Sequence, residues 1–250
     1  MEINKLLSLA VNVAVSSGKI LAEEKKSKII FETGHDIKLQ ADKDSEQRIF
    51  EILKSTGLNI LSEEAGYIEQ NSNNLFCWIV DPLDGSLNYV RQIPLSCISI
   101  ALWDGDKPLF GVVYDYVHDS LYKGIVGEYA TLNDIPIRVS EIKSQNKAII
   151  ATGFPVYSSF DDITLINFVR TLQNYKKIRL FGTAAFSMMM LAKGSVEAYQ
   201  ENNIAWWDVA AGIAIVLAAG GKVNFEFTNR QKYLLNVLAT NENLELNGGR

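Results

Sequence analysis

Asp81 and Asp84 stand at the end of an apolar run, WIVDPLDGSLNYV from residue 78 to residue 90, where a buried strand should be closing. Carboxylates in such a place are costly unless something positive meets them. Other acids recur in like positions. Asp42 closes DIKLQAD, Glu63 and Glu64 end the run LNILSEEAG, and Asp208 opens an apolar helical stretch. Acids next to strand ends and helix starts line the clefts that loops form over a sheet. Oxygen donors of this kind suit hard cations such as Mg²⁺, which take one or two carboxylates each together with water and phosphate. A cluster of this size suits two or three ions. Pro82 donates no backbone hydrogen bond, so it turns the strand and lets Asp81 and Asp84 face one centre, with the Leu83 carbonyl between them. Gly85 and Ser86 then open a helix whose free amides favour an anion. Cations on one side and amides on the other make a seat for phosphate. The plainer alternative, that Asp81 and Asp84 only shape a turn, leaves the other acids unexplained.

The elements that must position these residues follow from periodicity. At the N-terminus, Asn4, Asn12 and Lys19 interrupt what would otherwise pass for a signal peptide. Ile3, Leu6, Ala10, Val13, Ser17, Ile20 and Leu21 share one face of a core-facing helix. KSKIIFETGHDIKLQAD alternates around a Gly34 turn as a strand or hairpin ending at Asp42, and a second helix turns Ile49, Phe50, Ile52 and Leu53 inward. LNILSEEAG and NLFCWIVDPLDGS are strands that each run into carboxylates. Residues 95–103 and 109–117 are neighbouring strands joined by DGDKP, and 120–139 holds two shorter strands punctuated by Gly124, Gly127 and Pro136. From about residue 147 strands and helices alternate. The order is AIIATGFP, a helix over 160–174, KKIRLFG, the helix TAAFSMMMLAKGS, VEAYQEN, and a helix from Trp207 to Ala219 capped by Gly220-Gly221 ahead of KVNFEF. The expected fold class is α/β: an α+β half over 1–145 carries most of the acids, and an α/β half over 146–250 completes the site.

The chain has 250 residues, 48% of them hydrophobic and 21% charged, and a mean hydropathy of +0.04, which is the composition of a folded protein with a real core. A net charge of −5 argues against a dedicated nucleic-acid binder and means that a polyanionic substrate needs help from cations. Cys77 and Cys97 lie in apolar stretches without metal-site spacing and read as buried thiols of a reducing compartment. The stretch from Ala205 to Ala219 is shorter than the roughly 20 residues of a membrane span. A cytoplasmic protein without membrane partners is expected. His118 reads as a surface residue, and His35 lies near the expected site. Trp206, Trp207 and the run from Met188 to Met190 read as packing.

The strings LSEEAG, DPLDGSLNYV and WDVAAG, in that order and with GTAAFSMMMLAKGSVEAYQEN ahead of the last, resemble the inositol monophosphatase family of Mg²⁺-dependent, often lithium-sensitive phosphatases. The resemblance runs from the first helix to about Phe227. It implies a layered αβαβα sandwich and a homodimer that hydrolyses inositol monophosphate or a similar sugar or polyol phosphate. It also implies that Glu63, Asp81, the Leu83 carbonyl, Asp84 and Asp208 hold two or three Mg²⁺ ions, that Gly85 and Ser86 contact the phosphate, and that Asp42 orients water or a third ion. Glu201 falls where a carboxylate meets sugar hydroxyls, and Gly182, Thr183 and Ala184 match backbone lining the same pocket. Glu63, Ser86 and Asp42 are then the catalytic candidates, with water placed near Glu63 and Ser86 attacking phosphorus in line and no covalent intermediate. Two acid motifs of other kinds do not fit. Haloacid-dehalogenase phosphatases separate their aspartates by one residue, and DPLDGSLNY lacks the alternating ligands of an EF-hand loop. The chain departs from the family in Ser86, where Thr is commoner, in Leu87, where a polar residue is usual, and in Leu39, where Thr is frequent. These changes bear on substrate placement more than on metal binding. Fructose 1,6-bisphosphate and 3′-phosphorylated nucleotides are rival substrates. A second phosphate needs a basic receptor, for which Arg91, Lys176, Lys177 and Arg179 are the candidates, so a monophosphate ranks ahead. The rival from another class is a scaffold that keeps the fold and works through protein contacts.

Overall fold

Helix α1 (Ile3–Glu23) turns Leu7, Ala10, Val13, Ala14, Ser17, Gly18 and Leu21 inward at three- and four-residue spacing. Ile3, Leu6 and Ile20 sit half-buried at the margin of that face. The structure, a computed structural model, describes residues 2–23, 29–33, 36–154 and 161–246. The Gly34 turn and His35 lie outside the described residues. Strands β1 (Ile29–Thr33) and β2 (Asp36–Leu39) form a hairpin that runs directly into α2 (Gln40–Leu53). Asp42 therefore belongs to the first turn of a helix and not to the end of a strand. Ile49, Phe50 and Leu53 are buried in α2, but Ile52 falls off the 3.6-residue stripe and is 38% exposed. By length and composition α1 could cross a membrane. Its apolar residues instead join Ile49, Phe50 and Leu53 of α2 in one core.

After α2 come β3 (Asn59–Ser62), β4 (Gly66–Ile68), β5 (Phe76–Asp84), the short helix α3 (Ser86–Val90), β6 (Cys97–Asp104), β7 (Lys107–Asp115), β8 (Ser120–Ile125), β9 (Tyr129–Leu132) and β10 (Ile135–Pro136). Among the described residues these strands form an eight-stranded sheet in the order β10-β9-β8-β7-β6-β5-β3-β4. β3 and β5 run parallel, and the other neighbours are antiparallel. The region 120–139 thus carries three strands rather than two, because Gly124 lies inside β8 and does not end it. The pairing of β5 with β6 slips between Asp81 and Asp84. Pro82 has no N–H to give to the ladder, and on either side of the slip Asp81 stays opposite Ser99 and Asp84 opposite Cys97.

The remaining elements are β11 (Ile149–Thr152), α4 (Asp162–Leu172), β12 (Lys177–Arg179), α5 (Ala184–Ala192), β13 (Ala198–Ala205), α6 (Trp206–Ala218), β14 (Lys222–Asn229) and β15 (Leu234–Thr240). Among the described residues their strands form a second sheet in the order β12-β11-β13-β15-β14. The sequence expectation ends at KVNFEF, so β15, which inserts between β13 and β14, is an addition. Buried residues from α1, α2 and one face of the first sheet make one core. The other face packs Leu61, Ile79, Cys97, Ala101, Trp103 and Val113 against α5, α6 and the second sheet. Leu172 and Phe168 of α4 cover the far side of β11 and β13. The layers are helix, sheet, helix, sheet, helix, an αβαβα sandwich of α/β class.

The middle helical layer is held close. A Cβ on Gly111 would come within 2.3 Å of the Ala211 carbonyl oxygen, so only glycine lets α6 lie against β7. Trp103 is fully buried beside it, edge-on to Trp206 and Phe225, with its indole N–H donating to Ala210 O at 3.3 Å. Met188, Met189 and Met190 fill the same layer.

Candidate active site

Four stretches of chain bring the acids together: Asp42 in the first turn of α2, Glu63 just after β3, Asp81 and Asp84 at the slip in β5, and Asp208 in the first turn of α6. β3 and β5 are parallel neighbours with Ser62 opposite Val80, and the Glu63 N–H donates to Val80 O at 3.3 Å. Their C-terminal ends therefore deliver Glu63 and Asp81 side by side. Asp81 closes its own turn by accepting the Leu83 N–H at 2.9 Å. Asp208 is the third residue of α6 and directs its carboxylate back to the Ala205 N–H at the N-cap, half of a capping box at the positive end of the helix. Asp84 is secured from the start of α5. The Thr183 hydroxyl donates to its Oδ2 at 2.5 Å and the Ala185 N–H at 2.7 Å, and the Cys97 thiol lies 3.9 Å away.

Burial raises Asp81 well above the ordinary carboxylate range, and repulsion from Glu63, Asp84 and Asp208 adds to it. Asp208 is raised by burial and then by Glu63, Asp84 and Glu201. Burial raises Asp84 too, to about 6, against the pull of the Thr183 hydroxyl and the amides of Ala185 and Ala184, which favour its ionised form. The charges that act on Asp81 and Asp208 are thus other acids. Among the described residues no three Asp, Glu, His or Cys side chains close into a ready-made metal cage. A hard cation does not require one, since carboxylates one or two at a time, a backbone carbonyl, water and a phosphate complete its shell. The all-oxygen donor set and the mutual repulsion both fit Mg²⁺.

Beside the acids, Gly85 adopts φ +86°, and a Cβ there would approach Leu95 O to 2.8 Å, so the turn needs glycine. Ser86 follows as the first residue of α3, and its hydroxyl lies 3.3 Å from Asp42 Oδ1 and 3.0 Å from Leu83 O. Its single proton serves one acceptor at a time. The Asn88 amide donates to Leu95 O at 2.8 Å and to Phe181 O at 3.0 Å, which ties α3 to the segment carrying Gly182, Thr183 and Ala184. Gly182 has φ +72°. Glu201 is buried on β13 and pushed up to about 7 by burial, partly offset by the Tyr199 hydroxyl, which donates to it at 2.7 Å; Asp84 adds repulsion.

Sequence reasoning missed the side chain of Thr183, which serves Asp84 and also caps α5 by accepting the Phe186 N–H at 3.2 Å. A Thr one residue ahead of an apolar helix was the available signal. It also missed Tyr199 as the partner of Glu201, and Ser45 and Glu46 of α2. His118 pairs with Asp115 at 2.8 Å and meets none of the site acids in that contact. Lys177 and Arg179 lie exposed on the edge strand β12.

A family model described as the inositol monophosphatase family matches residues 2–247. An inositol-1-monophosphatase of Synechocystis is 36% identical over 233 residues, covering 89% of this chain and 79% of its own length. The Escherichia coli K12 protein named Nus factor SuhB is 31% identical over 245 residues, covering 94% and 91%. Among solved structures, the inositol monophosphatase of Anabaena (Nostoc) sp. PCC 7120 superposes with a TM-score of 0.82 at 32% identity, covering 96% of this chain and 92% of that one.

Proposed function

Because the chain belongs to the inositol monophosphatase family, we propose that it is a Mg²⁺-dependent hydrolase of inositol monophosphate or a similar sugar or polyol phosphate. The coarser assignment, a phosphatase of this superfamily, follows from membership. One observation supports the finer reading: acids distant in the chain, Glu63, Asp81, Asp84 and Asp208, lie close enough together that burial and mutual repulsion raise Asp81 and Asp208. Glu63, Asp81, the Leu83 carbonyl, Asp84 and Asp208 are the residues that would hold the ions, two or three in number. Bound there, Mg²⁺ supplies the positive charge that neutralises the ester and polarises its phosphorus–oxygen bonds.

The rest is the work of the chain itself. The Gly85–Ser86 turn receives the phosphate. Ser86 Oγ, held beside Asp42 Oδ1, orients a water for in-line attack near Glu63, and Asp42 Oδ1 is placed to take up its proton through that hydroxyl. Thr183 and Ala185 keep Asp84 in one rotamer, so it need not reorganise. Glu201 and the backbone of 182–184 meet the hydroxyls of the polyol. The same reading takes the active form as a cytoplasmic homodimer without nucleic-acid or membrane partners.

A phosphate-release assay over inositol monophosphates, sugar monophosphates, fructose 1,6-bisphosphate and 3′-phosphorylated nucleotides, with Mg²⁺ and with EDTA, tests the proposal. Release from polyol monophosphates only with Mg²⁺ is expected. Release from no substrate, or equal release in EDTA, refutes it. A second reading, a protein-interaction role beside or instead of catalysis, is favoured by the Escherichia coli relative named Nus factor. It predicts that an inactive Asp84→Asn chain keeps its partner.

A further inference from the structure

The buried stripe of α2 changes character halfway, from Asp42, Ser45 and Glu46 to Ile49, Phe50 and Leu53. The apolar half is a core face. The polar half needs partners, since buried acids are rare unless paired. Its three residues find them on two stretches of the active site, Asp42 and Ser45 on 82–86 and Glu46 on 62–65. Asp42 meets the Ser86 hydroxyl, and the Ser45 hydroxyl donates to Pro82 O at 2.9 Å inside the Asp81–Asp84 turn. Glu46 Oε1 accepts the Ser62 hydroxyl at 2.5 Å and the Ala65 N–H at 3.0 Å, and the Glu64 N–H adds a third bond to Glu46. Glu46 thereby grips the chain on both sides of Glu63, whose own carboxylate acts on Asp81 and Asp208.

From this we propose that Glu46 is a positioning residue. It holds the 62–65 turn so that Glu63 faces the acid cluster, and with Ser45 it makes α2 the clamp that sets the Glu63 loop against the Asp81–Asp84 loop. The inference rests on the phosphatase reading, in that Glu63 is taken as a cation ligand. Before a cation arrives, Asp81 and Asp208 repel Glu63 and favour turns that carry it outward. A turn fixed in advance removes that choice and lowers the ordering cost of binding. The benefit therefore falls on cation affinity and not on binding of the ester.

The full chain is compared with E46A, E46Q and S62A by Mg²⁺ calorimetry and by phosphate release as a function of Mg²⁺, with circular dichroism as the check on folding. E46A is expected to weaken Mg²⁺ binding and raise the half-saturating Mg²⁺ by about tenfold or more, as loss of residues that orient metal ligands does. KM for the ester at saturating Mg²⁺ should change little. E46Q keeps an acceptor oxygen for Ser62 and Ala65 and should stay within about threefold of the unaltered chain. A folded E46A with an unchanged Mg²⁺ requirement overturns the proposal, even if its stability falls. If E46A does not fold, S62A decides: it removes one of the three bonds, so a rise of about threefold supports the proposal and no rise overturns it. An unaltered chain that takes up Mg²⁺ but releases no phosphate refutes the phosphatase reading alone, and the calorimetric comparison still decides the role of Glu46. An unaltered chain that takes up no Mg²⁺ overturns both.

Discussion

Replacing Asp84 by Asn should stabilise the metal-free chain at neutral pH while removing most of its turnover. Asp84 stands at about 6 in the folded chain against an ordinary 3.8, chiefly because it is buried. Between those values the folded state binds a proton that the unfolded state does not, so stability falls as pH rises through the window and stays low above it. At about 1.4 kcal/mol per pKa unit, keeping Asp84 ionised costs the folded chain about 3 kcal/mol at pH 7.5. The amide oxygen of Asn can still accept from Thr183 and Ala185, so most of that cost should be recovered. For a chain of this length the gain corresponds to roughly 5–10 °C in Tm. The assay is thermal unfolding by circular dichroism in EDTA at pH 7.5 and pH 5, run beside phosphate release. D84N should melt higher than the unaltered chain at pH 7.5, with a smaller gap at pH 5, and the order should narrow or reverse with Mg²⁺. Ligation at a hundredfold excess over Kd adds about 2.7 kcal/mol to a chain that binds the ion fully. A D84N chain that is less stable than its parent in EDTA at pH 7.5, or that keeps full turnover, refutes the reasoning.

Thr183→Val removes both the donor to Asp84 and the cap of α5, and should cost about 2–4 kcal/mol in urea unfolding at pH 7.5; a loss well under 1 kcal/mol contradicts the bond seen at 2.5 Å. Glu201→Gln should raise KM for a polyol phosphate by about tenfold and leave hydrolysis of p-nitrophenyl phosphate, which has no hydroxyls to recognise, unchanged; equal effects on both substrates place Glu201 elsewhere in the mechanism. Gly111→Ala drives a methyl into the Ala211 carbonyl and should destabilise the chain by about 1–3 kcal/mol or more while loosening Asp208; unchanged urea unfolding shows that α6 can move away freely.

The acids were legible because each interrupts a pattern. Asp81 ends an apolar strand, Glu63 follows another, and Asp208 begins a helix that is otherwise apolar, so periodicity marks where each carboxylate leaves the core. The layered sandwich came from the resemblance rather than from periodicity. Alternation gave the elements but not their pairing: nothing local places β15 between β13 and β14, which depends on register across the second sheet. Thr183 escaped for the same reason, since its partner lies 99 residues away. Ser45 and Glu46 look like the solvent side of an amphipathic helix, and only the convergence of the 62–65 and 82–86 stretches on α2 makes burying them favourable. Ile52 erred in the opposite sense: an apolar residue one step off the stripe is simply exposed.

Mg²⁺ calorimetry at pH 7.5 in two buffers of different ionisation enthalpy tests whether the buried acids seat divalent cations. Because burial and repulsion raise Asp81 and Asp208, uptake of Mg²⁺ should be saturable, should release protons, and should be lost in Asp81→Asn. No saturable uptake, or uptake unchanged in that variant, would contradict it.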